Sequence, residues 1–315
     1  MSTSLVISVP TERLAQGLDN LPPGVELVQW DLTTPAPREH IDIVVQPYMG
    51  APAALDALQG VSMKLVQGQS IGYDGVDRHL PSGVPYANAS GVHEASTAEL
   101  TMALILAAQR GFPHFVAAQR DGQWSPIFTP SLADRRVLLV GFGGVGKAIA
   151  ARLAPFEVEL SAVARTARTE SVPGYGDITV HAMDDLSRVV ADAEIVVTSL
   201  PGTPETQHIF NAEMFARFAD DTLFVNVGRG ALVDNAALIA ELQAGRLRAA
   251  SDVFEQEPVP AGDPLWSAPN LLISPHVGGV TTAMEPRILR LIRSQIDRML
   301  ADQEPLNVVI SANER

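Results

Sequence analysis

The stretch Val137 to Ala150, VLLVGFGGVGKAIA, passes from an apolar, β-rich segment through Gly141, Gly143 and Gly146 into an alanine-rich helical run. Glycine at 141 permits a tight turn out of a strand, glycine at 143 lets the backbone approach a phosphate, and glycine at 146 lets a new helix pack closely on the sheet. The amides opening that helix, those of Gly144 and Val145, then face negative charge. G-x-G-x-x-G by itself is a weak signal. Set between Val137, Leu138, Leu139 and Val140 on one side and Ala148, Ile149, Ala150 and Ala151 on the other, it points to a dinucleotide pyrophosphate site. The bland alternative is an ordinary glycine-rich turn.

A chain of 315 residues with 46% hydrophobic content buries a large core, and its length favours two domains. The longest apolar run, Met102 to Ala108, is too short to span a membrane. The opening MSTSLVISVP has no positive region and reads as a first strand, so no signal peptide is expected. Zero cysteines exclude disulfides, thiol catalysis and cysteine-based metal sites, and cytoplasmic residence is the simplest reading. A net charge of −14 argues against a nucleic-acid partner, which needs a basic face.

Short β-rich runs at Leu5 to Val9, Val25 to Trp30, Ile41 to Gln46 and Met63 to Gln67 alternate with helical stretches such as Glu12 to Leu18 and Pro52 to Leu58. That alternation predicts a parallel sheet covered by helices. A second series begins at Arg136 and continues through Val158 to Ala164, Ile195 to Ser199, Leu223 to Val227 and Leu271 to Ser274. Between the two series, Ala98 to Ala108 is apolar on all sides, with Ser96 and Glu99 at capping-box spacing, and reads as a helix buried on every face. After Pro286, Ile288, Leu291, Ile292, Ile296, Met299 and Leu300 recur at helical spacing, as in a helix returning to the first unit. Residues 1–97 and 286–315 are thus expected to form one domain and 98–285 the dinucleotide-binding one. Gly111 to Asp134, with Pro113, Pro126 and Pro130, reads as an excursion from the compact body, for dimerisation first and as a plain loop second.

A chain that binds NAD places an acid about twenty residues past the glycine motif, where it bonds the ribose 2′-hydroxyl. Here the next strand ends AVARTAR, and Arg165, Thr166 and Arg168 stand in place of that acid. Arginines pair with a 2′-phosphate that a carboxylate would repel, so NADP is expected over NAD. The alternative is that both arginines are solvated surface charges.

Three later stretches carry chemistry: FVNVGRGALVD with Arg229, ASDVFEQEP with Asp252 and Glu257, and ISPHVGG with His276. Ligands of open α/β sheets sit beyond the carboxyl ends of the strands, so these residues are placed to converge near a nicotinamide. Singly, each has a dull explanation: a helix-capping arginine, a solvated acid beside Pro258, a structural histidine. Together and in this order behind a dinucleotide motif, they read as a site. The remaining histidines show no metal-ligand spacing, and no metal is expected.

With these motifs the chain resembles the D-isomer-specific 2-hydroxyacid dehydrogenase family. The resemblance runs from GYDGVD (Gly72 to Asp77) and ASTAEL (Ala95 to Leu100) through SLPGTPET (Ser199 to Thr206) to SPHVGG (Ser274 to Gly279). It implies a Rossmann dinucleotide-binding domain and a flavodoxin-like substrate domain, both doubly wound. It also implies that Arg229 binds the substrate carboxylate and polarises its carbonyl, that His276 is the acid/base, and that Glu257 orients and charges His276. Ile71 and Gly72 match a loop whose amides grip the substrate carboxylate. Asp252 matches a residue near the nicotinamide amide, and Thr97, Leu200, Pro201, Thr206, Val227, Gly228 and Gly279 fall at or beside cofactor contacts.

Physical chemistry agrees with those roles. Reducing a 2-oxo acid places negative charge on the carbonyl oxygen as hydride arrives, so a cation and a proton donor lower the barrier. Arginine holds a carboxylate through two parallel hydrogen bonds, and histidine exchanges protons near neutrality. The resemblance therefore implies NADPH-dependent reduction of a small 2-oxo acid of the glyoxylate or hydroxypyruvate kind to a D-2-hydroxy acid, by a homodimer. Glu257 and the short N-terminal region argue against formate as substrate. A phosphite-oxidising enzyme of the same family would use similar residues, and a dinucleotide-sensing, corepressor-like scaffold is the reading from another class.

Overall fold

The computed structural model describes residues 5–312, so Met1 to Ser4 of the expected first-strand segment, and the last three residues, lie outside the described residues. The chain divides into Met1–His93 with Thr281–Arg315, and Glu94–Val280. These units part a few residues before the breaks expected at 97/98 and 285/286, because one helix starts at Glu94 and the returning helix is preceded by a turn from Thr281.

In the first unit, β1 (Leu5–Val9) leads through α1 (Glu12–Gly17) to β2 (Val25–Gln29), followed by β3 (Ile43–Val45), β4 (Leu65–Gln67) and β5 (Tyr86–Ala87). Thr11 opens α1 by accepting the Leu14 N–H on its hydroxyl. The segment Pro52–Leu58 is 3-10 rather than α-helical. Alternate residues of each strand enter opposite cores: Leu5, Ile7, Val9, Ile43 and Val45 face one cluster, whereas Val6 and Val44 face the other.

The second unit begins with α2 (Glu94–Gln109) and α3 (Phe112–Arg120), then β6 (Arg136–Val140), α4 (Gly144–Leu153), β7 (Glu159–Ala164), β8 (Arg168–Val172) and β9 (Gly176–Ala182). It continues through α5 (Leu186–Val189), β10 (Ile195–Thr198), α6 (Ala212–Phe215), β11 (Leu223–Asn226), α7 (Asn235–Gln243), β12 (Arg248–Ser251) and β13 (Leu271–Ile273). The chain returns to the first unit with α8 (Met284–Leu300) and β14 (Val308–Ile310).

Among the described residues, the first sheet has the order β14-β5-β4-β3-β1-β2 and the second β13-β12-β11-β10-β6-β7-β9-β8. All pairings are parallel except β14 with β5 and β8 with β9. Order reverses in the second sheet beside β6, the strand that feeds the glycine loop, which is where open α/β sheets bind ligands. Val137 and Leu139 face one core with α2 and α4, while Leu138 and Val140 face the other with the phenylalanine cluster.

Three local expectations change. Ser96 is not a helix cap: α2 starts two residues earlier at Glu94, and Ser96 is buried inside it. Nor is that helix buried all round, since Glu99, Ala103 and the following Arg110 are exposed on one stripe at spacings of four and seven residues. The Gly111 to Asp134 excursion contains a helix, α3, with Pro113 in its first turn, where a missing N–H costs nothing. The β8–β9 hairpin, turned at Pro173-Gly174 and not among the expected strands, extends the sheet beyond β7 and carries Arg168 at its start. No helix among the described residues is long and apolar enough to cross a membrane.

Candidate active site

The glycine loop has the stereochemistry its spacing implies. Gly141 has φ +101°, a conformation side chains rarely adopt, and its N–H donates to the Val163 carbonyl at 2.9 Å. A Cβ at Gly146 would stand 2.1 Å from the Gly141 carbonyl oxygen, so only glycine lets α4 leave the sheet so closely. At Gly143 a Cβ would meet nothing within 4 Å, which leaves that backbone open to a phosphate at the start of α4, while one at Gly144 would stand 3.1 Å from Glu94 Oε1. Those residues fit a dinucleotide pyrophosphate. When bound, the dinucleotide supplies or accepts the hydride.

Past β10, Ser199 donates its hydroxyl to the Gly141 carbonyl, and Leu200 is buried. Thr206 shapes the following loop by donating to the Pro201 carbonyl at 2.8 Å and accepting the Thr203 N–H. Beyond β11, Val227 is buried, and Gly228 is needed because a Cβ there would fall 2.6 Å from the Leu200 carbonyl oxygen. Thr97, on α2, lies against Gly278, one residue before Gly279: a Cβ on Gly278 would be 3.3 Å from its Oγ1.

Arg229 follows β11 and is half-buried. Asn226 fixes its turn, accepting the Gly228 N–H and donating to the Arg229 carbonyl, both at 3.0 Å. One guanidinium nitrogen of Arg229 donates to the Gly228 carbonyl at 2.7 Å.

Three residues beyond β13, His276 has φ +53°, unusual for a non-glycine residue. Asp252 holds it there: the Asp252 carbonyl accepts the His276 N–H at 2.8 Å. The buried Asp252 carboxylate also accepts the Ser274 hydroxyl at 2.6 Å and the N–H groups of Val277 and Gly278 at 2.9 Å. The Asp252 side chain is thus a hub for the loop that carries the imidazole.

His276 Nδ1 lies 2.6 Å from Glu257 Oε2, and Glu257 Oε1 accepts the Phe254 N–H at 2.8 Å. The hydrogen bond to Glu257 raises the His276 pKa; burial opposes it, the charges of Glu257 and Asp252 assist, and the Arg229 charge opposes. Burial pushes the Glu257 carboxyl up, but bonds from His276 and Phe254 with the charges of His276 and Arg229 outweigh it and hold the carboxyl below its ordinary range. The Arg229 charge is therefore felt at both members of the pair. A cation, a proton donor and the carboxylate that charges it stand in one unit, beyond the carboxyl ends of its strands.

That unit matches the family model for the NAD binding domain of D-isomer specific 2-hydroxyacid dehydrogenases over residues 102–278. The chain belongs to the D-isomer specific 2-hydroxyacid dehydrogenase family. This makes it an oxidoreductase of two α/β domains, Rossmann and flavodoxin-like, that uses a nicotinamide dinucleotide. It is 31% identical over 255 residues to a glyoxylate reductase of Thermofilum pendens, covering 78% of this chain and 74% of that one. A D-3-phosphoglycerate dehydrogenase of Methanocaldococcus jannaschii is 30% identical over 256 residues, which is 80% of this chain but 48% of that protein, so the match spans about half of that relative. Among solved structures, an NADPH-dependent glyoxylate/hydroxypyruvate reductase of Sinorhizobium meliloti with NADP and sulfate superposes with a TM-score of 0.81 at 26% identity, over 97% of this chain and 98% of that one.

At the end of β7 the dehydrogenase carries no acid. Arg165 and Thr166 are exposed in the turn, and Arg168 begins β8, donating to the Thr166 carbonyl at 3.1 Å and to Glu170 Oε2 at 2.8 Å. Lys147, in the first turn of α4, also pairs with Glu170, and its bond together with that of Arg168 lowers the Glu170 pKa. Arg168 is thus an anchored guanidinium, and Arg165 an exposed one. In the first unit, the Ile71 carbonyl accepts Asn88 Nδ2 at 2.7 Å and the Ser70 carbonyl accepts the Ala89 N–H at 2.9 Å, which fixes the loop bearing Ile71 and Gly72.

Sequence reasoning missed Asn226 and Ser274, whose side chains shape the Arg229 and His276 turns, and the His208–Glu255 pair. The signal for Asn226, Ser274 and Glu255 was position, each at or within a few residues of the end of a strand, whereas His208 lies ten residues past β10 and had none.

Proposed function

We propose that this protein reduces a small 2-oxo acid, of the glyoxylate or hydroxypyruvate kind, to the D-2-hydroxy acid with NADPH. The observation that carries the reading is the charged His276–Glu257 pair within reach of the Arg229 charge, in the unit that bears the glycine loop. Arg229 holds the substrate carboxylate, and His276 delivers a proton to the carbonyl oxygen as hydride reaches the carbon. Thr97, Leu200, Pro201, Thr206, Val227, Gly228, Asp252 and Gly279 frame the dinucleotide. The choice of NADPH rests on Arg165 and Arg168, and the NADP-bound Sinorhizobium reductase supports it. The test is consumption of NADPH and of NADH across a panel of small 2-oxo acids, with Arg229→Ala and His276→Ala as controls. Turnover with NADH alone would refute the cofactor assignment, and no turnover with either would refute the reaction.

We infer further that the working unit is a homodimer formed through the α3 excursion. Trp124 and Phe128 are almost wholly exposed, and Phe112, Val116 and Ile127 are exposed beside them. Phe115, Trp124, Pro126 and Ile127 also line a groove there. Apolar patches of this kind belong to partner surfaces, and the exposed stripe of α2 at Glu99 and Ala103 adds a second strip for a neighbouring copy. Sedimentation of Trp124→Ser with Phe128→Ser should show loss of the dimer. Sedimentation of the unaltered protein as a monomer would contradict it.

A further inference from the structure

His208 sits in none of the segments assigned above, yet it is bonded to two of them. It lies in the loop between β10 and α6, with φ +49°, in the left-handed region that few non-glycine residues enter. Its backbone N–H donates to the Ala231 carbonyl at 2.8 Å, two residues past Arg229. The register continues: the Phe210 N–H donates to the Leu232 carbonyl at 3.0 Å, and the Asp234 N–H returns to the Phe210 carbonyl at 3.1 Å. Phe210 anchors this stretch in the core, its ring 4.8 Å from that of Phe224 and 6.3 Å from that of Phe215.

The His208 side chain, unlike that anchor, is partly exposed. Its Nε2 lies 2.5 Å from Glu255 Oε1, with both side chains partly exposed. Glu255 is two residues from Glu257, in the segment whose Phe254 N–H holds Glu257 Oε1. Gly230 closes the arrangement, because a Cβ there would fall 2.0 Å from the Phe254 carbonyl oxygen. The turn after Arg229 and the segment before Glu257 therefore touch backbone to backbone, and His208 bridges them from the side.

We infer that His208 is a positioning residue: through its main chain it grips the Arg229 turn, and through Glu255 it grips the Glu257 segment, fixing the seat from which Glu257 meets His276. The same loop contains Leu200, Pro201 and Thr206, so the cofactor-framing loop and the acid's segment are joined by one side-chain hydrogen bond. This inference rests on the assignment of Glu257 and His276 as a working pair. The groups that face His276 are Glu257, Asp252 and Arg229; the His208 side chain holds the segment of Glu257 alone, while its main chain holds the Arg229 turn.

The test uses His208→Asn, chosen because asparagine tolerates the left-handed backbone, and Glu255→Gln, which removes the charge and keeps the shape. The His276 imidazole is titrated by NMR in histidine-labelled full-length protein without substrate. Both variants should lower its pKa by a few tenths of a unit, with the melting temperature little changed. Combining them should lower it no further than the stronger single variant, the signature of one shared interaction. In turnover, kcat should fall up to about five-fold, while KM for NADPH stays near its original value. An unchanged His276 titration in Glu255→Gln would overturn the inference. Because the titration needs no substrate, a protein that turns over no 2-oxo acid yet shows the shift would sink the proposed reaction and leave His208 its role.

Discussion

His276 meets Glu257 through Nδ1, which leaves Nε2 as the nitrogen that faces a reacting oxygen. Since an ionised carboxylate only accepts, the proton on this bond resides on Nδ1, and the tautomer of the neutral ring is fixed. The ring then exchanges protons at Nε2 alone, which is what reversible transfer to a substrate oxygen requires.

Reduction needs the protonated imidazole, so its rate should hold below the raised His276 pKa and fall as pH rises through it. Glu257→Gln removes the charge that favours imidazolium, so the fall should move to lower pH, and the onset of oxidation should move with it. Profiles of kcat/KM against pH in both directions check this, and superimposable profiles would contradict it. Stability follows the same signs. The contribution of the raised histidine is complete below its ordinary pKa and disappears as pH climbs through the raised one. That of the lowered Glu257 is complete above its ordinary pKa and disappears as pH drops through the lowered one.

Gly230→Ala should damage catalysis without touching a reacting group. Its Cβ would fall 1.9 Å from the Phe254 carbonyl carbon, so either the Arg229 turn or the Glu257 segment must move. A displacement near 1 Å at such a site costs about a hundred-fold in rate. Steady-state kinetics should show that loss mainly in kcat/KM for the oxo acid. A variant as active as the parent would mean that the two segments are not held in register.

Asp252→Asn tests the hub beneath His276. The carboxylate accepts the hydroxyl of Ser274 and the amides of Val277 and Gly278, and an amide side chain keeps the shape but not the charge or the full acceptor capacity. Destabilisation of about 2 kcal/mol is expected, read as a lower midpoint in urea with unchanged slope. A variant with an unshifted midpoint would show the loop to be held by other contacts.

Arg168→Ala should lower kcat/KM for NADPH by about ten-fold, the worth of one charge-assisted bond, and leave NADH nearly untouched. Arg165→Ala should act in the same direction, and both effects should shrink as salt is raised. Equal losses with the two dinucleotides would show that the arginines do not meet a 2′-phosphate.

Much of this was legible in the sequence because it depends on local stereochemistry. The requirement for glycine at 141 and 146 follows from a turn and a close helix approach that neighbouring residues dictate. The buried parallel strands announce themselves as short apolar runs, as at Leu223–Asn226. Arg229, Glu257 and His276 stood out because they follow such runs. The edges were harder. The β8–β9 hairpin is polar on its outer strand, so its Pro173-Gly174 turn signal stands without an apolar strand pattern on that side, and the α3 helix is hidden behind Pro113.

The sequence by itself determined which strands are buried, where the glycine loop must lie, and which three side chains are the candidates for the chemistry, because each is written in neighbouring residues. Only the tertiary structure decided that Asp252 spends its carboxylate on the histidine loop, that Glu170 anchors Arg168, and that His208 reaches Glu255. Asp252 and Gly278 lie 26 positions apart and His208 and Glu255 47, so no local spacing brings them together, whereas Arg168 and Glu170 share a face because they are two apart on β8. A parallel sheet gathers distant loops at one edge, and which of their side chains then meet is fixed by packing beneath them rather than by any local pattern.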